Sequence, residues 1–436
     1  MNNTSIKTDN LIYAVAAKDN LELALNTLNP RGNPGCDGQK IIQLKQEFPD
    51  IVDELSQSLI NGSYIPKRVF RMYIPKDKQR TSFRMLSIPV VADRMIQTAI
   101  VQVLNPIFEP NFCDNSYGFI RHRGCFPALK HTLELANKGY SFVVNIDLKK
   151  FFDSVPQHKL MDILKKTITD SVLLDLIQKY LTPEIKEVGK QIYRDTKGIP
   201  QGGPLSPLLS NIFLNEMDHY LKSKDYKFSR YADDFIIMCS CEAEAYVIFK
   251  DVSDFLHNME VDINYEKSSI ADLSDIEYLG YSFKYDYRDI YSLTVCDKKF
   301  EQLRYTLFNL IQKYYTKEND NVFVNRICSV TRGWVNYYAL ADIEDRLKEI
   351  DKWLIDTINN FYYKKIDIYT KSIWGEDFYT EGKDYTLDIV ANRLEEKNEN
   401  YQYNVYYSMH LDNLFYYGYD TMQNFYHKIR KKWDLE

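Results

Sequence analysis

"SRYADDFIIMC", Ser229–Cys239, sets two adjacent carboxylates, Asp233 and Asp234, between two runs that read as β-strand. A two-residue turn throws its side chains off the strand ends, so the pair belongs at a hairpin tip. Side by side the two charges repel, and a positive species held between them and a third group would relieve them. On its own, an Asp-Asp pair is equally at home in a solvated turn. A third group stands in "VVNIDLKKFFDSV", where Asp147 ends another buried strand. If that strand neighbours the hairpin, Asp147 and Asp233 can hold two Mg²⁺ ions about 4 Å apart, the arrangement for in-line phosphoryl displacement. Magnesium fits because it takes hard oxygen ligands and leaves positions open for phosphates. Asp234 is then a further ligand or a supporting acceptor. Asp153 is expected to cap the helix after Pro156 and is left out of the site.

Chemistry of that kind would use one ion to activate a primer 3′-hydroxyl and the other to stabilise departing pyrophosphate. It also needs a grip on nucleotide and nucleic acid. "GIPQGGPLSPLLSN" gathers Gly198, Gly202 and Gly203 before a helix start. Glycines there let backbone approach a base pair closely, and Gln201 both donates and accepts hydrogen bonds. A lone PQGG is also an ordinary turn; its place between the two carboxylate strands favours function. Lys76 and Arg84, on a basic β-segment, are candidates to hold a triphosphate, with Arg80 in the turn between them; a surface role is open to each.

The chain of 436 residues allows two or three domains and a sizeable core. Its polar start, "MNNTSIKTDN", lacks a signal peptide's apolar stretch. The most apolar region, "DRMIQTAIVQVLNPIFE", is broken by charge, so no membrane span is expected. Seven cysteines without a CxxC pair argue against a disulfide framework or zinc module and for reduced thiols in the cytoplasm. A net charge of −6 counts against a nucleic-acid binder unless charge is segregated. It is: "NGSYIPKRVFRMYIPKDKQRTSFRMLSIP", Asn61–Pro89, carries seven Lys or Arg against one Asp. Interleaved Tyr64, Phe70, Tyr73 and Phe83 suggest a phosphate-contacting sheet rather than a merely solvated face.

Residues 1–60 read as helical around the loop "NPRGNPGCDG", and 64–90 as strands with a turn at Asp77–Ser82. From Asp93, a plausible cap, Ile96, Ala99, Ile100, Val103, Leu104 and Ile107 mark an amphipathic helix. Another starts at "SPLLSNIFLNEMDHYL", with Ser206 as cap and Pro207 in the first turn. Helices follow from about Asp297, over Val322–Leu340 and over Glu344–Ile366, before a Tyr/Asn-rich tail. That tail could stack on unpaired bases, but tyrosine-rich helices are more often packing, so no site is assigned there.

Together these residues resemble the reverse transcriptase family, in its bacterial group II intron-like branch, from about Gly32 to about Ala339. "GNPGCDG" is similar to that branch's N-terminal extension, while "YIPKRVFRMYIPK", "RMLSIPVVADRMIQTAI" and "SYGFIRHRG" look like fingers motifs. "NIDLKKFFDSV", "GIPQGGPLSPLLSNIFLNEMD", "RYADDF", "NYEKS" and "YLGYSF" resemble the palm motifs in order, and "VTRGWVNYY" the helical thumb of intron maturases. The resemblance implies an α+β right-hand polymerase: extension and fingers over 1–145, palm over 146–296, helical thumb over 297–370 and a C-terminal extension over 371–436. It makes Asp147, Asp233 and Asp234 the metal-binding triad. It sets Phe152 at the gate against a ribonucleotide 2′-hydroxyl, although a core aromatic is the alternative. Lys267 matches a lysine that assists pyrophosphate departure, and Leu279 and Gly280 would support the primer end. The turn between Lys76 and Arg84 is longer than the usual pattern and lacks its glycine. The C-terminus carries neither a Cys pair nor an H-N-H run, and it is not strongly basic.

The resemblance implies an RNA-directed DNA polymerase working on deoxynucleotides, an RNA template and its cDNA product. The acidic balance favours a stand-alone enzyme of anti-phage defence, possibly of the type 2 class, copying a structured noncoding RNA. A short group II intron maturase is the alternative, although clamping a large folded RNA calls for many neutralised phosphates. A retron or diversity-generating enzyme fits the motifs less well. A catalytically idle RNA-binding protein is disfavoured by the intact carboxylates.

Overall fold

The computed structural model describes residues 9–75, 81–287, 289–314, 320–374, 418–433 and 435. The chain forms two compact units, Met1–Leu273 and Ser274–Glu436. In the first, α1 (Leu11–Ala16), α2 (Lys18–Thr27) and α3 (Ile41–Ile60) flank the Gly/Pro loop as expected. The antiparallel pair β1 (Val69–Pro75) and β2 (Phe83–Ile88) is joined on its other side by a parallel partner near residue 185. Helix α4 (Val91–Phe108) turns Ile96, Ala99, Ile100, Leu104 and Ile107 into the core, at the spacing of one helical face.

Asp93 does not cap that helix. Val90 stands at the cap without a side-chain bond, and Asp93 lies inside the first turn, 1% exposed. Its carboxylate accepts from Tyr64 Oη (2.9 Å), Tyr180 Oη (3.0 Å) and the Lys67 amide (2.9 Å), pinning the chain that leads into β1. Burial outweighs these donors and pushes its pKa up to about 6.

After α5 (Cys125–Ala136) comes β3 (Phe142–Ile146), then α6 (Phe151–Ser154), α7 (Gln157–Lys165), α8 (Ser171–Leu181) and β4 (Ile185–Glu187). Pro156 holds the cap position of α7 with no side-chain bond, so the cap expected from Asp153 is not made. In α9 (Ser206–Ser223) the cap is Leu205. Ser206 is already helical, and its hydroxyl donates back to the Pro200 carbonyl (2.5 Å).

Strands β5 (Lys227–Tyr231) and β6 (Asp234–Cys239), helix α10 (Glu242–Asn258) and β7 (Ser269–Asp272) complete this unit. The central sheet has the order β5-β6-β3-β7, every pair antiparallel. β6 is buried at every position from Phe235 to Cys239. Successive side chains point to opposite faces, so both faces are covered. Each such aliphatic side chain contributes about 1.5–3 kcal/mol, and truncating one, as in Ile237→Ala, costs roughly 2–5 kcal/mol. That burial fixes the register of the strand that carries the carboxylates.

The second unit begins with the meander β8 (Glu277–Tyr278), β9 (Tyr281–Tyr285) and β10 (Tyr291–Thr294). Helices α11 (Asp297–Tyr314), α12 (Asp320–Tyr338), α13 (Glu344–Trp374) and α14 (Met422–Lys432) follow. Phe300, Leu303, Leu307 and Ile311 form the buried face of α11, as read from spacing. In α13, Asp351 accepts from Tyr419 Oη (2.9 Å) and the amides of Met422 (2.9 Å) and Gln423 (3.0 Å), docking the start of α14. Among the described residues no helix is long and apolar enough to cross a membrane.

Candidate active site

The hairpin β5–β6 closes at Tyr231↔Asp234, so Ala232 and Asp233 form its two-residue turn. Ala232 takes a φ of 59°, a conformation that a side chain resists. The turn is held from beneath by Arg230, whose guanidinium is fully buried. Nη1 donates to the Ala232 carbonyl (2.9 Å) and Asn211 Oδ1 (3.0 Å), while Nε and Nη2 fork onto Asp218 (2.7 and 2.5 Å). A loop from "SYGFIRHRG" lies alongside: the Tyr117 amide donates to the Arg230 carbonyl (2.8 Å), and the Arg230 amide to the Asn115 carbonyl (2.9 Å). Gly118 sits so close that a Cβ there would meet the Ala232 nitrogen at 2.3 Å.

Strand β3 runs beside β6 with Ile146 opposite Phe235. One further step of this register sets Asp147 across from Asp234. The "NYEKS" turn grips Asp147. The Asp147 amide donates to Ser268 Oγ (3.1 Å), its carbonyl accepts from the Asn264 amide (2.8 Å), and its Oδ2 accepts from Asn264 Nδ2 (2.8 Å). Lys267 rides on this turn, exposed, its amide bonded to the Asn264 carbonyl (3.1 Å).

Desolvation, then the charges of Asp233 and Asp147, push the Asp234 carboxyl up to about 6. Asp234 is open to solvent at the hairpin tip. A divalent cation between these carboxylates would offset their repulsion and lower the Asp234 pKa again. Among the described residues no three His, Cys, Asp or Glu side chains gather tightly enough to form a ready-made metal cage. The hard oxygens of Asp147, Asp233 and Asp234 fit magnesium in its other mode, in which one or two carboxylates share the ion with water and substrate phosphates.

Phe152 is half-buried, edge-on to Phe151 (5.5 Å), and lines a small cleft with Gln201, Ser87, Arg71 and Lys197. Gly198 and Gly202 take φ of 87° and 113°. A Cβ on Gly202 would strike the Ser87 carbonyl at 2.4 Å, and one on Gly203 the Gln97 side chain at 2.3 Å. The space on the Cβ side of these two glycines is thus filled by β2 and α4 of the chain itself. The Gln201 carbonyl accepts from the Ser87 amide (2.7 Å), stitching the loop to β2.

The basic β-segment is less free than its sequence implies. Lys67 pairs with Asp37 (3.3 Å), Arg68 with Glu184 (2.7 Å) and the buried Arg71 with Asp195 (2.7 Å). Arg84 is exposed on β2, opposite Ile74. Lys76 and Arg80 lie outside the described residues. Leu279 and Gly280 belong to the second unit, where they form the tight turn of β8–β9 with φ of 50° and 74°. The Leu279 carbonyl accepts from Tyr337 Oη (2.9 Å).

The supports at Arg230, Asp218, Gly118 and Asn264 were not singled out by sequence. The signals were a charged residue inside an otherwise apolar strand pair, "SRYADDFIIMC", and an asparagine three residues before Lys267.

Residues 74–283 match the family described as "Reverse transcriptase (RNA-dependent DNA polymerase)". Protein YkfC of Escherichia coli (strain K12) is 30% identical over 296 residues, 58% of this chain and 77% of that protein. The group II intron-encoded protein LtrA of Lactococcus lactis subsp. cremoris is 38% identical over 179 residues, 41% of this chain. The match spans only 29% of LtrA's own length. A solved partial Cas6-RT-Cas1–Cas2 complex aligns at 23% identity with a TM-score of 0.37, over 57% of this chain and 41% of that one.

Proposed function

The chain belongs to the reverse transcriptase family of RNA-directed DNA polymerases, an α+β right-hand fold, and from that premise we propose that Asp147, Asp233 and Asp234 carry two-metal phosphoryl transfer from deoxynucleotides on an RNA template. One observation carries this reading. Asp234 at the start of β6 and Asp147 at the end of β3 lie on neighbouring strands, and the charges of Asp233 and Asp147 raise the Asp234 carboxyl. Family members generally work with divalent ions. Two Mg²⁺ ions held by these carboxylates would supply activation of the primer 3′-hydroxyl and stabilisation of the leaving pyrophosphate.

The chain's own residues divide the remaining work. Arg84, with Lys76, holds the triphosphate, and Lys267, on the turn that grips Asp147, meets the pyrophosphate. Gln201 and Phe152 share one cleft, where Gln201 and Gly202 line the base pair and the Phe152 ring excludes a 2′-hydroxyl. Leu279 and Gly280 support the primer end. Primer extension on an RNA template tests the assignment. Magnesium-dependent DNA synthesis by the wild type, abolished in Asp233→Asn and Asp147→Asn, is the expected result. No product from the wild type favours an idle, RNA-binding protein.

For the biological template we propose a structured noncoding RNA copied in the cytoplasm during anti-phage defence. The support is the net charge of −6, together with Arg68 and Arg71 of the basic segment, already committed to protein carboxylates. Both weaken the case for clamping a large folded intron. Kinship to the intron-encoded LtrA favours the second reading, a group II intron maturase. Sequencing the RNA that co-purifies separates them: a short structured RNA supports the first, an intron the second.

A further inference from the structure

Asp147 is embraced by one short turn. Its amide and carbonyl are bonded to Ser268 Oγ and the Asn264 amide. The turn is itself closed, since Ser268 donates through both its amide and its hydroxyl to the Asn264 carbonyl (2.9 Å each). On either side, the Leu148↔Ile263 bridge and a bond from the Lys149 amide to the Asp262 carbonyl (2.8 Å) hold the two segments in register. All of these place the backbone. The carboxylate itself is met by Asn264 Nδ2, at 2.8 Å from Oδ2.

An amide in that position has a specific consequence. A lysine or arginine would orient the carboxylate but also offset its charge and compete with a cation. Asn264 is a neutral donor and leaves the full charge in place. A carboxylate offers about four lone-pair directions, of which Asn264 takes one. The rotamer is thus chosen before any ion arrives, and most of the ligand's capacity stays open.

We propose that Asn264 is a positioning residue for Asp147, its side-chain amide holding Oδ2 so that the carboxylate meets a divalent cation in one preset orientation. This rests on the reading of Asp147 as a metal ligand. Loss of a hydrogen-bond partner behind a metal ligand typically weakens metal affinity about tenfold to a hundredfold.

The test is Mn²⁺ binding to the full chain without nucleotide, followed by the electron paramagnetic resonance signal of free Mn²⁺. Asn264→Ala removes the donor, and Asn264→Leu removes it at nearly constant volume. Both are expected to raise the Mn²⁺ dissociation constant about tenfold or more. In parallel, the Mg²⁺ concentration for half-maximal primer extension should rise while the KM for deoxynucleotide stays near wild type. Asp147→Asn is the reference. If it weakens Mn²⁺ binding and neither Asn264 variant does, the positioning role is overturned and the ligand role stands. If Asp147→Asn leaves binding unchanged, the ligand reading fails and the proposal with it. A circular-dichroism spectrum showing both Asn264 variants unfolded without metal also overturns it, since Asn264 would then serve the fold and not the ligand.

Discussion

Replacing Arg230 with methionine should damage stability and catalysis by separable amounts. The guanidinium and Asp218 are both 0% exposed, and two of Arg230's four side-chain hydrogen bonds go to that carboxylate. Removing the cation leaves Asp218 charged in a dry interior, which costs about 3–5 kcal/mol. At roughly 2–4 °C per kcal/mol for a domain of a few hundred residues, Tm should fall by about 10 °C. Taking Asp218 to leucine in the same chain removes the stranded charge. The double variant should then recover all but about 2 kcal/mol, the share of the Asn211 and Ala232 oxygens left without a donor. Primer extension should not recover, because the Ala232 carbonyl at the turn before Asp233 has lost its support. Differential scanning calorimetry and single-turnover extension read the two effects. A Tm drop under about 2 °C for Arg230→Met, or wild-type extension by the double variant, would refute the reasoning.

Three further outcomes are expected. Gly118→Ala drives a Cβ into the Ala232 backbone, which has no flexible end to give way; overpacking of this kind costs about 1–3 kcal/mol, and extension should fall further than thermal stability suggests. Asp93 holds its proton more tightly folded (about 6) than its ordinary carboxyl value of 3.8. Its contribution is therefore present below about pH 4 and lost as pH rises through 6, by roughly 3 kcal/mol. Urea titrations from pH 3.5 to 7 should show wild-type stability declining relative to Asp93→Asn over that window, and parallel curves would sink the assignment. Phe152→Ala should raise ribonucleotide incorporation relative to deoxynucleotide, and an unchanged ratio would make Phe152 a packing residue of the Phe151 cluster.

Much of the frame was legible because it is written in local periodicity. The apolar runs of β3 and β6, the face of α4 and the helices from Asp297 onward all announce themselves at spacings of two or three to four residues. What failed were assignments that depend on partners far along the chain. Asp93 has the composition of a cap, but Tyr180, 87 residues away, draws it inward. The glycines of "GIPQGGP" do serve a close approach, and only the fold shows that the neighbour is Ser87 or Gln97. Arg230 and Asn264 escaped for the same reason: their meaning lies in Asp218, reached through a strand-helix contact, and in Asp147, 117 residues away along the chain.

Leu279 endures a left-handed backbone that costs a leucine about 1–2 kcal/mol and a glycine almost nothing. The hydroxyl of Tyr337, near the end of α12, offsets part of that strain by bonding to the Leu279 carbonyl. The turn is thus buttressed by a helix more than fifty residues downstream, and drawing back the last turn of α12 would remove the bond that supports the Leu279 conformation.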